Sequence, residues 1–168
     1  MDHLWAPWRL SYVATAKELN TDDPCFICRG LAGTDDRANL LALRTPGSVV
    51  VLNRFPYNNG HLLVAPRAHK GRLDELTPEE LLETMETLRH MVRVLDKLMK
   101  PDGYNVGLNL GHAAGAGLPG HLHWHVVPRW HGDTNFMPIL GDVKVIVQSL
   151  DALWELLTAR LREDTAAV

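Results

Sequence analysis

The stretch Gly120-His121-Leu122-His123-Trp124-His125-Val126-Val127-Pro128-Arg129-Trp130 limits what this chain can become more than any other part of it. Three of the nine histidines stand at alternate positions inside an apolar, β-prone run. Successive side chains of a strand point to opposite faces, so the spacing predicts His121, His123 and His125 on one face and Leu122, Trp124 and Val126 on the other. Alternate residues of a strand lie roughly 6.5–7 Å apart, which sets the three imidazoles in a line. Groups that titrate near neutral pH are costly to leave on a buried sheet face without purpose. A single histidine there is usually structural; three in strict alternation point to chemistry.

Three physical readings compete for that row. Two or three imidazoles on one strand can ligate a metal, although no Asp or Glu lies between Gly120 and Trp130 to complete a hydrolytic zinc site. A histidine can instead attack phosphorus as a nucleophile when a neighbour fixes its tautomer, while a second one serves the leaving group. The third reading is a polar strand face lining a cleft or an interface. The preceding loop, Gly111 to Gly120, holds four glycines in ten residues, whose N–H groups can point at an anion. No Gly-x-x-x-x-Gly-Lys-Ser/Thr is present, so this is not a P-loop. A glycine loop leading into a nucleophile strand suits phosphoryl or nucleotidyl transfer.

The totals exclude several classes. A chain of 168 residues with 46% hydrophobic and 22% charged content can bury a core as one domain, 1–168. A formal charge of -3 gives no support for DNA binding, which rests on clustered basic residues, but leaves a nucleotide ligand open. No apolar run approaches the roughly 18 residues that span a bilayer. The amino terminus lacks the basic and apolar regions of a signal peptide. Two cysteines in one Cys-x-x-Cys make no disulfide framework, and a cytoplasmic location is expected.

Along the chain, residues 1–20 carry Trp5, Trp8 and Tyr12 and read as an aromatic arm packed on the domain or on a second subunit. Cys25-Phe26-Ile27-Cys28 supplies half the ligands of a zinc tetrahedron, and Gly30 and Gly33 argue against a helix there. Residues 31–47 read as loop. Val49–Leu52 and His61–Pro66 form an antiparallel hairpin around the turn-rich tip 53–60. The clearest element is a helix over 77–99. It has Thr77 as N-cap, Pro78 in the first turn, Glu80 closing a capping box, and an apolar face from Leu81 and Leu82 to Met99. Tyr104–Leu110 alternates as a further strand. A last helix is expected over about 144–163, with Leu150, Leu153, Trp154, Leu157 and Leu161 on one face.

With these residues assembled, the chain resembles a known family. His121-Leu122-His123-Trp124-His125-Val126-Val127 matches the histidine triad pattern of the HIT superfamily. Asn53-Arg54-Phe55-Pro56 through Gly60-His61-Leu62-Leu63-Val64-Ala65-Pro66 resembles its first hairpin. Leu4-Trp5-Ala6-Pro7-Trp8-Arg9 and Pro128–Phe136 resemble the Fhit-like branch, which includes diadenosine tetraphosphate phosphorylases. The resemblance implies an α+β HIT fold, a mostly antiparallel sheet of about five strands with two main helices, assembled as a homodimer. It implies cleavage of a phosphoanhydride bond of a dinucleoside polyphosphate or adenylated nucleotide through a nucleotidyl-histidine intermediate. Water as acceptor makes a hydrolase, orthophosphate a phosphorylase; a nucleotide sensor without turnover is the remaining alternative.

By motif position the resemblance makes His123 the nucleophile, sets His125 near the leaving oxygen and has His121 orient the site. It sets Asn53 at the ribose and Asn109 near the phosphates. Many relatives carry Gln-Ser or Gln-Thr just before the triad, where this chain has Gly117 and Leu118. The loop must then act through backbone N–H groups, with Gly115 and Gly117 as the candidates. No organic cofactor is implied. In some relatives a structural zinc is held by a Cys-x-x-Cys, a histidine after the hairpin and the first triad histidine, which here are Cys25, Cys28, His69 and His121.

Overall fold

Short β-prone runs broken by turn residues, with two long amphipathic segments, resolve into one antiparallel sheet with helices on both faces. The computed structural model describes residues 25–134 and 146–166. Its order is α1 (Phe26–Ala32), β1 (Leu41–Arg44), β2 (Ser48–Leu52), β3 (Leu62–Pro66), α2 (Pro78–Met99), β4 (Gly103–Leu108), β5 (Trp124–Arg129) and α3 (Leu150–Ala166). Five strands lie in the order β1-β2-β3-β5-β4, every neighbouring pair antiparallel. The hairpin expected between 49 and 66 is β2 and β3, in register from Ser48 opposite Pro66 to Leu52 opposite Leu62.

Alternation along the strands divides the core in two. Val50, Leu52, Leu62, Val64 and Val126 meet Met91, Val94 and Leu95 of α2 and Leu153, Leu157 and Leu161 of α3. Val49, Val51, Leu63 and Ala65 point the other way, onto Ile27 of α1 and Leu41. Each large side chain buried in this way contributes about 1.5–3 kcal/mol. The second face matters for function, because His125 pairs with Leu63 across β3 and β5 and so lies on it.

Helix α2 has the start its sequence specifies. Thr77 Oγ1 accepts the Glu80 N–H, and Glu80 returns its carboxylate to the Thr77 N–H at 2.8 Å. Leu81 and Leu82 are exposed in its first turns, so the buried stripe is Met91, Val94 and Leu95, with Thr84 and Thr87.

Four expectations are corrected. Phe26–Ala32 is helical despite Gly30, because Gly30 is where α1 meets Leu41: a Cβ there would stand 2.7 Å from Leu41 Cδ1. Residues 41–44 form a strand rather than loop. Their Leu-Ala-Leu composition hides it, and the pairing is irregular between Leu41 and Leu43. The last helix begins at Leu150, not near 144; Ser149 accepts the Ala152 N–H on Oγ and the Leu153 N–H on its carbonyl, which sets the start. The histidine strand begins at Trp124, so His121 and His123 precede it. The arm over residues 1–20 lies outside the described residues. No helix among them is long and apolar enough to cross a membrane.

Candidate functional site

His121, at the entry to β5, turns away from the other two triad histidines. Its Nε2 lies 2.8 Å from the Pro66 carbonyl. A carbonyl only accepts, so the ring proton sits on Nε2 and Nδ1 keeps its lone pair. Nδ1 faces two sulfurs, Cys25 Sγ at 3.2 Å and Cys28 Sγ at 3.5 Å, and His69 Nδ1 stands 3.2 Å from Cys28 Sγ. The four ligand atoms of Cys25, Cys28, His69 and His121 all lie within 4.8 Å of one another.

The first turn of α1 creates half of this cluster. Cys25 is the N-cap, with Cys28 following three residues later and its N–H aimed at Cys25 Sγ. A tetrahedral ion with metal–sulfur bonds of about 2.3 Å and metal–nitrogen bonds of about 2.0–2.1 Å separates sulfur from nitrogen by about 3.5 Å. The observed spacings fit that figure. Fixing the ligand nitrogen by bonding the opposite ring nitrogen to a carbonyl is how proteins orient a metal-binding histidine. Burial, then Cys25, pushes the Cys28 thiol up to about 11, a direction that a bound cation reverses.

His123 has the opposite tautomer. Its Nδ1 lies 2.8 Å from the carbonyl of His121 and donates to it, which leaves Nε2 with a free lone pair. The ring is buried, and burial lowers its pKa, so it is held neutral. A neutral, oriented imidazole with an unshared lone pair at one nitrogen is a competent nucleophile.

His125 follows on the same face, its ring 5.2 Å from that of His123. Asn109, just beyond β4, brings an amide nitrogen to 3.5 Å from His125 Nε2. The other ring nitrogen, Nδ1, is 2.9 Å from Nε2 of a fourth histidine, His61. His61 is buried at the start of β3, with its Nδ1 taking the Tyr57 backbone N–H at 2.9 Å. Asn53 lies alongside, Nδ2 at 3.2 Å from His61 Nδ1 and Oδ1 accepting the Phe55 N–H. Asn58 fastens the hairpin tip by donating to the Pro128 carbonyl and to Asp133.

The structure thus brings His125 and Asn53 together around His61, with Asn109 at the far side of His125, and joins His69 and His121 to the cysteines. Gly115 does not offer its amide to a ligand: its N–H is given to the His112 carbonyl at 2.9 Å, in the left-handed conformation (φ +86°) that glycine suits. Gly117 lies exposed on the same loop. Sequence reasoning missed His61 and Tyr57. The available signal was that His61 opens its strand directly opposite Asn53, whose N–H it accepts.

Burial, and after it the neighbouring His123, depresses His125 to about 4. The unfolded chain protonates this ring below its ordinary value of 6.5, whereas the native one stays neutral until about 4. Within that window the unfolded state binds more protons, so stability is lost as pH falls. His121 and His123 are depressed as well and carry the same sign. Urea midpoints measured near pH 7.5, 6 and 5 should fall in that order, less steeply for His125→Gln. A midpoint that does not change over this range contradicts the buried, neutral site.

Comparison with known proteins agrees with this geometry. The family model described as HIT domain matches residues 37–132, and the chain belongs to the HIT family. The AP-4-A phosphorylase of Mycobacterium tuberculosis (strain H37Rv) is 41% identical over 154 residues, covering 89% of this chain and 79% of that protein. The crystal structure of a hypothetical histidine triad nucleotide-binding protein from Sulfolobus tokodaii strain7 superposes with a TM-score of 0.65 at 25% identity, over 85% of this chain and 93% of that one. A Zn-bound histidine triad family protein from Mycobacterium smegmatis shares the fold, with a TM-score of 0.62 at 23% identity over 94% and 96% of the two chains.

Proposed function

We propose that this chain is a nucleotidyl hydrolase or transferase that cleaves a phosphoanhydride bond of an adenine dinucleoside polyphosphate through a nucleotidyl-His123 intermediate. The observation that carries the reading is the bond from His123 Nδ1–H to the His121 carbonyl, which leaves Nε2 free to attack the phosphorus. The departing polyphosphate lies on the His125 side. Asn109 and the exposed amide of Gly117 bind phosphate oxygens, and the Asn53 amide meets the ribose. An acceptor then displaces the nucleotidyl group from His123. The 41% identical relative named AP-4-A phosphorylase favours orthophosphate as that acceptor.

One assay tests the proposal. Diadenosine tetraphosphate is incubated with and without orthophosphate, and the products are separated. Phosphorolysis gives ADP and ATP and requires phosphate; hydrolysis gives AMP and ATP without it. Cleavage that depends strictly on phosphate ends the hydrolase reading, and no cleavage in either arm overturns the enzyme reading in favour of a nucleotide sensor.

Three further readings accompany it. The Cys25-Cys28-His69-His121 cluster holds a zinc ion, and four protein ligands leave no open position, so the ion is structural. A metal site built on thiolates suits a reducing, cytoplasmic setting. The chain works as a homodimer joined along β4: β4 is one of the sheet's two edges, and Val106 and Leu110 lie about half exposed there, on or just beyond it. A monomer mass in sedimentation equilibrium would overturn the dimer.

A further inference from the structure

We infer that His61, held by the backbone of the hairpin tip, is a positioning residue that locks His125 as a neutral hydrogen-bond donor toward the leaving oxygen. This rests on the nucleotidyl-transfer reading above. One group beside His61 has no freedom. The Tyr57 N–H lies 2.9 Å from His61 Nδ1, and a backbone N–H can only donate. His61 Nδ1 therefore holds a lone pair, and the proton of the neutral ring sits on Nε2. The Asn53 amide nitrogen stands 3.2 Å from Nδ1 and 3.4 Å from Nε2, so it favours neither ring nitrogen and the Tyr57 N–H alone makes the assignment.

The next link follows. His61 Nε2 lies 2.9 Å from His125 Nδ1, so His61 donates and His125 accepts. The one proton of neutral His125 is then on Nε2, the end that reaches Asn109. An Asn109 amide nitrogen facing Nε2 would suit the reverse tautomer, but a side-chain amide can turn by half a rotation to present its oxygen, and the peptide of Tyr57 cannot. The Tyr57 ring adds a clamp: it stacks on His125 at 5.6 Å and 16° and leans on His61 at 4.6 Å. His61 itself is almost fully buried, which restricts both rings to this arrangement.

The lock has a chemical consequence. Attack by His123 forms the bond from Nε2 to phosphorus, and the bond from phosphorus to the bridging oxygen breaks with its electron pair left on the departing phosphate. That phosphate is stable as an anion near neutral pH, since its second pKa is about 6. It needs a hydrogen bond and no proton, which is what a neutral Nε2–H supplies. An amine leaving group, as in a nucleoside phosphoramidate, must be protonated as it leaves, and His125 could do so only by becoming an imidazolate. The lock therefore favours leaving groups that depart as anions.

The test reads tautomers as well as rates. Nitrogen-15 NMR of the wild-type protein at about pH 7.5 should show His125 protonated on Nε2 and His61 on Nε2. In His61→Met the His125 proton should redistribute toward Nδ1. Its kcat for diadenosine tetraphosphate should fall about 10²-fold, the scale lost with one transition-state donor, with KM nearly unchanged. His61→Gln, whose amide N–H can still donate to Nδ1, should recover most of that loss. A wild-type His125 protonated on Nδ1 overturns the inference, and this readout stands even if the methionine variant does not fold. So does a folded His61→Met with unchanged tautomer and rate. Correct tautomers in a protein that cleaves no dinucleoside polyphosphate would instead overturn the functional reading and leave the lock standing.

Discussion

His123→Asn should lower kcat for diadenosine tetraphosphate by about 10⁴-fold or more, because it removes the atom that forms the covalent bond. Asparagine is the informative replacement. Its amide N–H stands where His123 Nδ1–H donates to the His121 carbonyl, so the local structure keeps its anchor. What disappears is the Nε2 lone pair. His125→Asn should cost less, about 10²–10³-fold, since it removes one donor to a developing charge and leaves the two-step route intact. Mass spectrometry gives the second readout: a nucleotide monophosphate adduct trapped on the wild-type chain at His123 and missing from His123→Asn. If His123→Asn keeps more than a tenth of the wild-type rate, His123 is not the nucleophile.

That experiment targets the part of the molecule most legible in the sequence. Histidine alternating with Leu, Trp and Val is visible in the sequence whatever the local backbone does, so the triad is legible although His121 and His123 lie outside β5 and His121 joins the cysteines instead of the row. Helix α2 was legible for the same kind of reason: cap, capping box and three-four periodicity all agree over 22 residues. What stayed hidden depends on contacts far along the chain. Gly30 reads as a helix breaker until Leu41 is known to pack against it. Leu41–Arg44 lacks the β-branched residues that mark a strand and pairs only because β2 is beside it.

His61 shows the limit most clearly. In the sequence it is the first residue of an apolar strand, with nothing to separate it from a buried core histidine. Its part in the site comes from His125, 64 positions away, and from a peptide N–H that bears no side-chain label at all. The metal ligands lie between these cases. Cys25 and Cys28 announce themselves by spacing, whereas His69 and His121 joined them only through the resemblance to a family. A backbone bond beyond the β3–β5 ladder explains the meeting: Leu122 donates to the Lys70 carbonyl at 2.7 Å, which brings His121 and His69 to the same end of the sheet.

Removing the metal ligands should destabilise the protein and slow it. The cluster ties the first turn of α1 to the chain beyond β3 and to the entry of β5, with 96 positions between Cys25 and His121. A clip that closes so long a loop removes much conformational freedom from the unfolded chain. The core on both sheet faces persists without it, so the loss is well short of the 10–16 kcal/mol that zinc gives small finger peptides. About 3 kcal/mol is expected for Cys28→Ser, or a fall in Tm of about 6–12 °C for a chain of this length. The rate should fall too, because the carbonyl that orients His123 belongs to His121. Purified wild-type protein should carry close to one zinc per chain by atomic emission, and Cys25→Ser and Cys28→Ser far less. Chelation should lower the Tm of the wild type and leave that of either variant where it is. Wild-type protein that holds no zinc, or that melts at the same temperature after chelation, would show that the four ligands are packed side chains and that His121, whose carbonyl orients His123, is anchored by the Pro66 carbonyl alone.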